Sequence, residues 1–370
     1  MRKHRWYLAA AALVAVAGFA VAGMATAGGS SQELTKVTLQ SKWVVQSQFA
    51  GYYAAQAKGF YKKAGLDVDI KVGGPNIIPE QVVLGGQAEF GIDWMPSLLA
   101  NRDTGNNLVN IGQVYARSGT TEVTFKSSGI NTFKKMRGHK FGVWLFGNEF
   151  EQRAALVKNG IDPDNPSDVT IVKQNFDMVA FLNGEIDAAS AMTYNELAQV
   201  LETKNPKTGK LYTLKDLNVF KYSDLGTGML QDGIFVKGDW IKSKANQATA
   251  IKFLGASFAG WIWCRDHYKE CVNIVVKQGT ALPKGHQTWQ MNEVNKLIWP
   301  NKLGIGIMDP AAFALTSKIS QTYGVIKKKP SGAYVTTYAK AALAGLKSQG
   351  LDVYGKSYKP ALVTLREGGK

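Results

Sequence analysis

The side chains in this sequence that could meet another molecule are mostly flat rings, amides and carboxylates, and they gather where strand-like runs end. Trp43 follows the run 36–40, so its indole either stacks on a flat guest or belongs to the core. Gln46 and Gln48 share that loop and suit the edge of an amide or imide, while Ser47 is placed to cap the helix that follows. Asp93 and Trp94 close the run 90–93 with a carboxylate and a second large ring, for packing or for binding. Asn148 and Glu149 stand at another strand-to-helix junction. Asn148 with Glu151 has capping-box spacing, which leaves Glu149 freer to reach a ligand. Tyr194, Asn195 and Glu196 follow the run 188–192, with Thr193 and Glu196 also at capping spacing. A buried tyrosine, amide and carboxylate together are costly without partners, which points to binding. Asp232 lies where the chain is expected to cross back, and would meet a polar ligand or latch that crossing.

Covalent catalysis has little to work with. There is no GxxxxGK[ST] loop, no GxGxxG after a strand, no HExxH and no GxSxG. His4 falls in the N-terminal segment, and His139, His267 and His286 lack metal-ligand spacing, so neither metal nor cofactor is expected. Cys264 and Cys271 are seven apart. On one unbroken helix they would stand about 10 Å apart, too far for a disulfide. A break at Arg265, Asp266 and His267 would let two helix ends be stapled, and an oxidising compartment favours such a structural bond.

The elements that must hold these groups alternate along the chain. Strand-like runs at 36–40, 67–72, 90–93 and 109–114 are separated by helical stretches at 49–64, near 80–85 and from Pro96. After 121–125 the rhythm restarts, with strands at 140–145, 169–172 and 188–192 and helices at 149–158, 178–184 and 195–202. A turn at 205–210 and a strand within 229–236 precede a mainly helical remainder. The rhythm predicts an α/β fold built on largely parallel, covered sheets. Two such units with a returning chain predict two lobes, 36–123 plus 234–370 and 124–233, with crossings near 122–126 and 231–236. Ligands in open α/β sheets sit beyond the carboxyl ends of the strands. The lobes are therefore expected to face one another across a cleft and close on a hinge.

Residues 1–27 read as a secretory signal, with Arg2, Lys3 and Arg5 before an apolar run and a small-residue cleavage site ending at Ala27. The run is shorter than the roughly 20 residues of a spanning helix, though an uncleaved anchor is the alternative. The mature chain is expected in the periplasm or at the outer face of the cytoplasmic membrane. The formal charge is +16. Apart from 327–329 the lysines are scattered singly or in pairs, which suits a solvated basic surface rather than nucleic-acid binding.

At these residues the chain resembles the solute receptors of ABC importers for thiamine-pyrimidine precursors and riboflavin, a group similar in fold to the fungal thiamine-pyrimidine synthase. The resemblance runs over about 37–324. Its marks are QFAGYYAAQAKGFYKKAGLDV (48–68), GVWLFGNEFE (142–151), MTYNELAQVLE (192–202), GMLQDGIFV (228–236), the WCRD segment with the second cysteine, and HQTWQMNEVNKLIWP (286–300). It implies a two-lobed, type II periplasmic-binding-protein fold with a mainly helical C-terminal part. The implied ligand is a flat nitrogen heterocycle stacked on Trp43, its ring amine bonded to a carboxylate such as Glu196, and the implied partner is a membrane permease. A monomer is expected. In the synthase a lysine holds pyridoxal phosphate and a histidine four residues on is consumed. Alignment on GIDWMPSLLA puts Asp93 and Ser97 at those positions. The synthase's cysteine-rich iron site would fall near 226–235, where this chain has no cysteine. The resemblance therefore implies binding without catalysis. A sulfonate-type receptor would want clustered arginines, and Arg102, Arg117 and Arg153 are dispersed in sequence.

Overall fold

The computed structural model describes residues 33–145 and 147–370, so the segment read as an export signal lies outside the described residues. β1 (Thr35–Gln40) leads through a 3-10 turn at Ser47–Phe49 into α1 (Ala50–Ala57) and α2 (Phe60–Lys63). The single helix expected over 49–64 is broken because Gly59 takes φ 72°, a conformation that only glycine adopts cheaply. β2 (Leu66–Lys71), α3 (Pro79–Leu84), β3 (Phe90–Asp93), α4 (Met95–Asp103) and β4 (Leu108–Gln113) follow. α3 and α4 each start on a proline in the first turn, where its missing N–H costs nothing.

The second run contains β5 (Thr120–Phe125), β6 (Lys140–Val143), α5 (Phe150–Lys158), β7 (Thr170–Lys173) and α6 (Val179–Leu182). It continues through β8 (Ala188–Met192), α7 (Glu196–Leu201), β9 (Leu217–Lys221) and α8 (Tyr222–Leu225). β10 (Gly233–Lys237) then precedes α9 (Lys244–Asp266), α10 (Tyr268–Val276), α11 (Lys284–Ile298), α12 (Pro310–Thr322) and α13 (Thr337–Ser348). Among the described residues no helix is long and apolar enough to cross a membrane.

Two five-stranded sheets result, ordered β2-β1-β3-β10-β4 and β7-β6-β8-β5-β9. The orders match position for position. In each, the fourth strand runs antiparallel to both neighbours: β10 against β3 and β4, and β5 against β8 and β9. Both sheets are therefore mixed rather than largely parallel. β5 pairs along its length inside the second sheet, so the chain leaves the first sheet through 114–119, not near 122–126. It returns through 226–232, ahead of β10.

The first sheet packs against α9, which lies unusually close to α1. A Cβ on Gly260 would stand 2.0 Å from the Gly51 carbonyl oxygen, and one on Gly51 would stand 2.3 Å from the Trp261 ring. Two facing glycines permit that approach, and the fully buried Trp261 and Tyr52 fill the space beside it. α9 ends at Asp266, and His267 (φ −131°, ψ 50°) leaves the helical region before α10 starts. The break brings Cys264 and Cys271 to a Cα separation of 5.1 Å, joined by a disulfide.

Candidate functional site

The carboxyl ends of β1, β3, β6, β7 and β8 open onto one slot between the two sheets, as strand polarity in α/β sheets dictates. The first sheet contributes Lys42, Trp43, Gln46, Gln48 and Trp94 to the lining; the second contributes Trp144, Asn148, Phe176, Met192, Tyr194, Asn195 and Glu196. The cavity among them is small, about 30 Å³. That is a thin slot rather than a chamber. Trp43 and Phe176 meet edge to face at 4.1 Å, and Trp144 lies nearly parallel to Phe176 at 6.5 Å. Trp144, Met192 and Tyr194 share one apolar cluster with Trp94 and Tyr115, so the sheets stand closed on one another.

Beneath the first-sheet wall a polar scaffold fixes the rings and amides. Trp94 Nε1 donates to Asp232 at 2.8 Å, and Gln48 Nε2 donates to its other oxygen at 2.9 Å. Gln46 Nε2 donates to Gln48 Oε1 at 2.5 Å, and Tyr115 hydroxyl donates to the Gln48 carbonyl at 2.9 Å. Burial pushes the Asp232 carboxyl up to about 6, opposed by the hydrogen bond from Gln48 and by the charge of Lys42. Lys42 pairs with Asp93 and holds its ammonium 5.0 Å from the centre of the Trp94 ring. Glu80 is completely buried beside this pair, and neither of its carboxyl oxygens finds a donor. Burial, then the charge of Asp93, pushes its carboxyl well above the usual range. A neutral Glu80 can donate to Asp93, which gives those oxygens a role.

The second-sheet wall carries the carboxylate. Glu196 accepts from Met192 N at 2.9 Å and from Asn195 Nδ2 at 2.7 Å. Burial pushes it up to about 7, against those two bonds and its own backbone N–H. Tyr194 is buried beside it, and burial raises its hydroxyl well above the ordinary value.

Of the residues singled out in the sequence, Trp43, Gln46, Gln48, Trp94, Asn148, Tyr194, Asn195 and Glu196 line the slot. Asp93 and Asp232 do not; they stand behind the wall as partners of Lys42, Gln48 and Trp94. Glu149 turns away and accepts from Gly147 N at 2.8 Å. The expected caps are also absent. Ser47 bonds to α11 instead, and Asn148 donates to the Leu145 carbonyl. Glu151 accepts from Ser118 and Met229, while Glu196 reaches back to Met192. Lys42, Trp144, Phe176 and Met192 line the slot without having been singled out; Trp144 follows β6 directly, a position that strand-end reasoning could have selected.

Among the described residues no arginine lines the slot. Arg102 donates to the carbonyls of Leu108 and Ser331, Arg117 to that of Pro300, and Arg153 pairs with Asp164. Lys42 is the one cation among the lining residues, and Asp93 already neutralises it. Among the described residues no group of three or more metal-ligating side chains is assembled.

The family model described as NMT1/THI5 like matches residues 46–271. A 4-amino-5-hydroxymethyl-2-methylpyrimidine phosphate synthase of Schizosaccharomyces pombe is 28% identical over 155 residues, 41% of this chain and 43% of that protein. The chain spans about half the length of the curated relatives it matches. Among solved structures, the ligand-binding component of an ABC-type import system from Staphylococcus aureus superposes with a TM-score of 0.59 at 10% identity. That match covers 83% of this chain and 99% of the other. The periplasmic aliphatic sulphonate-binding protein of Escherichia coli gives 0.58 at 15% identity, covering 80% and 94%. These likenesses are of fold: the two-lobed α/β architecture of periplasmic binding proteins.

Proposed function

The chain belongs to the NMT1/THI5-like family, and from that premise we propose that it is an extracytoplasmic receptor for a flat nitrogen heterocycle. The ligand would be a thiamine-pyrimidine precursor or a riboflavin-like molecule, held between the lobes and handed to the permease of an ABC importer. The observation that carries this reading is the composition of the slot. Five aromatic side chains line it, and its carboxylate, Glu196, is a buried acceptor held in place by two donors. Flat walls suit a ring, and a fixed acceptor suits a ring amine. The absence of arginine from the lining speaks against a sulfonate. No cofactor is needed for binding of this kind, and the receptor would work as a monomer.

Calorimetric titration of the protein, after unfolding and refolding to strip any ligand, tests the proposal. The two probes are 4-amino-5-hydroxymethyl-2-methylpyrimidine and riboflavin. Saturable one-to-one binding of either is expected; failure of both, with an aliphatic anion bound instead, would overturn it.

Catalysis is the second reading, favoured by the naming of the S. pombe relative as a synthase and by the lysine in the slot. That lysine, Lys42, comes from the end of β1 rather than β3 and is engaged by Asp93. Incubation with pyridoxal phosphate separates the readings. A lysine-bound chromophore lost in Lys42→Met would support catalysis, and an unchanged spectrum supports the receptor.

A further inference from the structure

Behind the slot's carboxylate, Asn195 of the lining leads to two buried polar side chains, His286 and Glu202, that the slot itself does not expose. Asn195 spends its amino end on Glu196 Oε1, so its Oδ1 faces His286 Nε2 at 2.9 Å. An amide oxygen only accepts, so that ring nitrogen must carry a hydrogen. Nδ1 of the same ring faces both oxygens of Glu202 at 3.0 and 3.1 Å, and a carboxylate also only accepts. His286 is fully buried, and Asn195 and Glu202 are nearly so. Glu202 is the charged group against the ring, and the Gly369 main chain packs on the Cβ of His286. Around Glu196, Asp177 is the further charged group that acts on it.

The helix carrying His286 holds both walls of the slot. Gln287 and Gln290 of α11 accept from Ser47 N at 2.8 and 2.7 Å, while Trp289 Nε1 donates to the Thr193 carbonyl at 3.1 Å. A change at His286 therefore reaches Glu196 through a single intervening amide, without touching the slot.

We propose that His286 is a positioning residue for the slot: it donates from both ring nitrogens, sets the orientation of the Asn195 amide, and so keeps Glu196 an ionised acceptor. The chain has one other self-consistent form. A half-turn of the Asn195 amide lets Oδ1 accept from a protonated Glu196 and Nδ2 donate to a His286 Nε2 that has lost its hydrogen. One proton has passed from His286 to Glu196, and the summed charge of Glu196, His286 and Glu202 stays at minus one. Because no net charge is added to a buried place, the exchange avoids the usual penalty of desolvation. The ionised form meets a ring amine with a charged acceptor; in the protonated form the one carboxyl hydrogen is spent on Asn195 and only a neutral acceptor remains. The relay thus sets how strongly the slot holds a ring amine, an inference that rests on the receptor reading.

The test uses the full chain without ligand, labelled with ¹⁵N-histidine, with His286→Gln serving to identify the signal. At neutral pH the ring of His286 is expected to carry a hydrogen on each nitrogen. In Glu196→Gln, Met192 N retains the side-chain oxygen, so the new amide nitrogen faces Asn195 and turns its amide over. The Nε2 hydrogen should then vanish, although the substituted side chain does not touch the ring. A wild-type ring bare at Nε2 would overturn the relay, as would a Glu196→Gln spectrum with both hydrogens intact. No ligand enters this experiment, so its failure leaves the receptor proposal to the calorimetric titration.

Discussion

Trp43 and Glu196 divide the work of the slot: one supplies a face and the other an acceptor. Removing the ring in Trp43→Ala forfeits about 0.5–1.5 kcal/mol of stacking beyond the area it covers, so affinity for the bound heterocycle should fall about tenfold. Glu196→Gln replaces a charge-assisted acceptor worth about 1.5–3 kcal/mol, a loss of roughly 10- to 150-fold. Calorimetry reads both, and unfolding curves should shift little because neither side chain is a centre of packing. Unchanged affinity in both variants would remove the slot from the account. Much of this site was legible, because a ring or carboxylate just past a strand is placed by strand polarity alone. What escaped was the division between wall and support. Asp93 has the same strand-end signature as Glu196, Asp232 stands out by its place at the crossing, and only the approach of Lys42, Gln48 and Trp94 turns them inward. The cap spacings misled for a related reason: Asn148 donates to the nearby Leu145 carbonyl, and at Glu151 the distant donors Ser118 and Met229 outcompeted the local helix end.

At the scale of elements, alternation of strand and helix was readable because each run carries its own apolar period. β3 is buried on both faces, and β2 at the sheet edge alternates buried with exposed residues. The break between α1 and α2 was less visible, since an interior glycine marks a turn only when its φ is positive. β9 was missed: LNVFK is short, and half-buried at an edge. The closeness of α1 and α9 yields a sharp prediction. Gly260→Ala places a methyl group against the Gly51 carbonyl, and overpacking of this sort costs about 1–3 kcal/mol. Denaturant titration should show a lower midpoint with an unchanged slope. A midpoint equal to that of the wild type would mean that the helices separate without cost.

At the scale of the whole molecule, the two crossings meet in one hydrogen-bonded knot. Gln231 accepts from Gly119 N at 2.8 Å and donates to Ser118 and Thr120, while Glu151 accepts from Ser118 and Met229. Which sheet β5 would join could not be read from TTEVTF, because strand pairing is decided by distant partners, and this misplaced the first crossing. Burial pushes Glu151 up to about 7, so the folded chain keeps its proton while the unfolded chain releases it near 4.5. Asp232 acts in the same direction between 3.8 and about 6. Stability carried by these protons is complete at low pH and falls as pH rises through that window, by at most ~1.4 kcal/mol per pH unit for each carboxyl. Unfolding free energy should therefore be higher at pH 5 than at pH 7.5, and Glu151→Gln should flatten the slope. An unaltered slope would contradict the assignment. The proposed function turns on a guest held without a covalent bond. Mass spectrometry of natively purified protein, before and after denaturation, tests it most directly. A small flat heterocycle should leave with its mass unchanged and be missing from Trp43→Ala combined with Glu196→Gln. A group that stays on Lys42 through denaturation, or a ligand that the double variant retains in full, would contradict it.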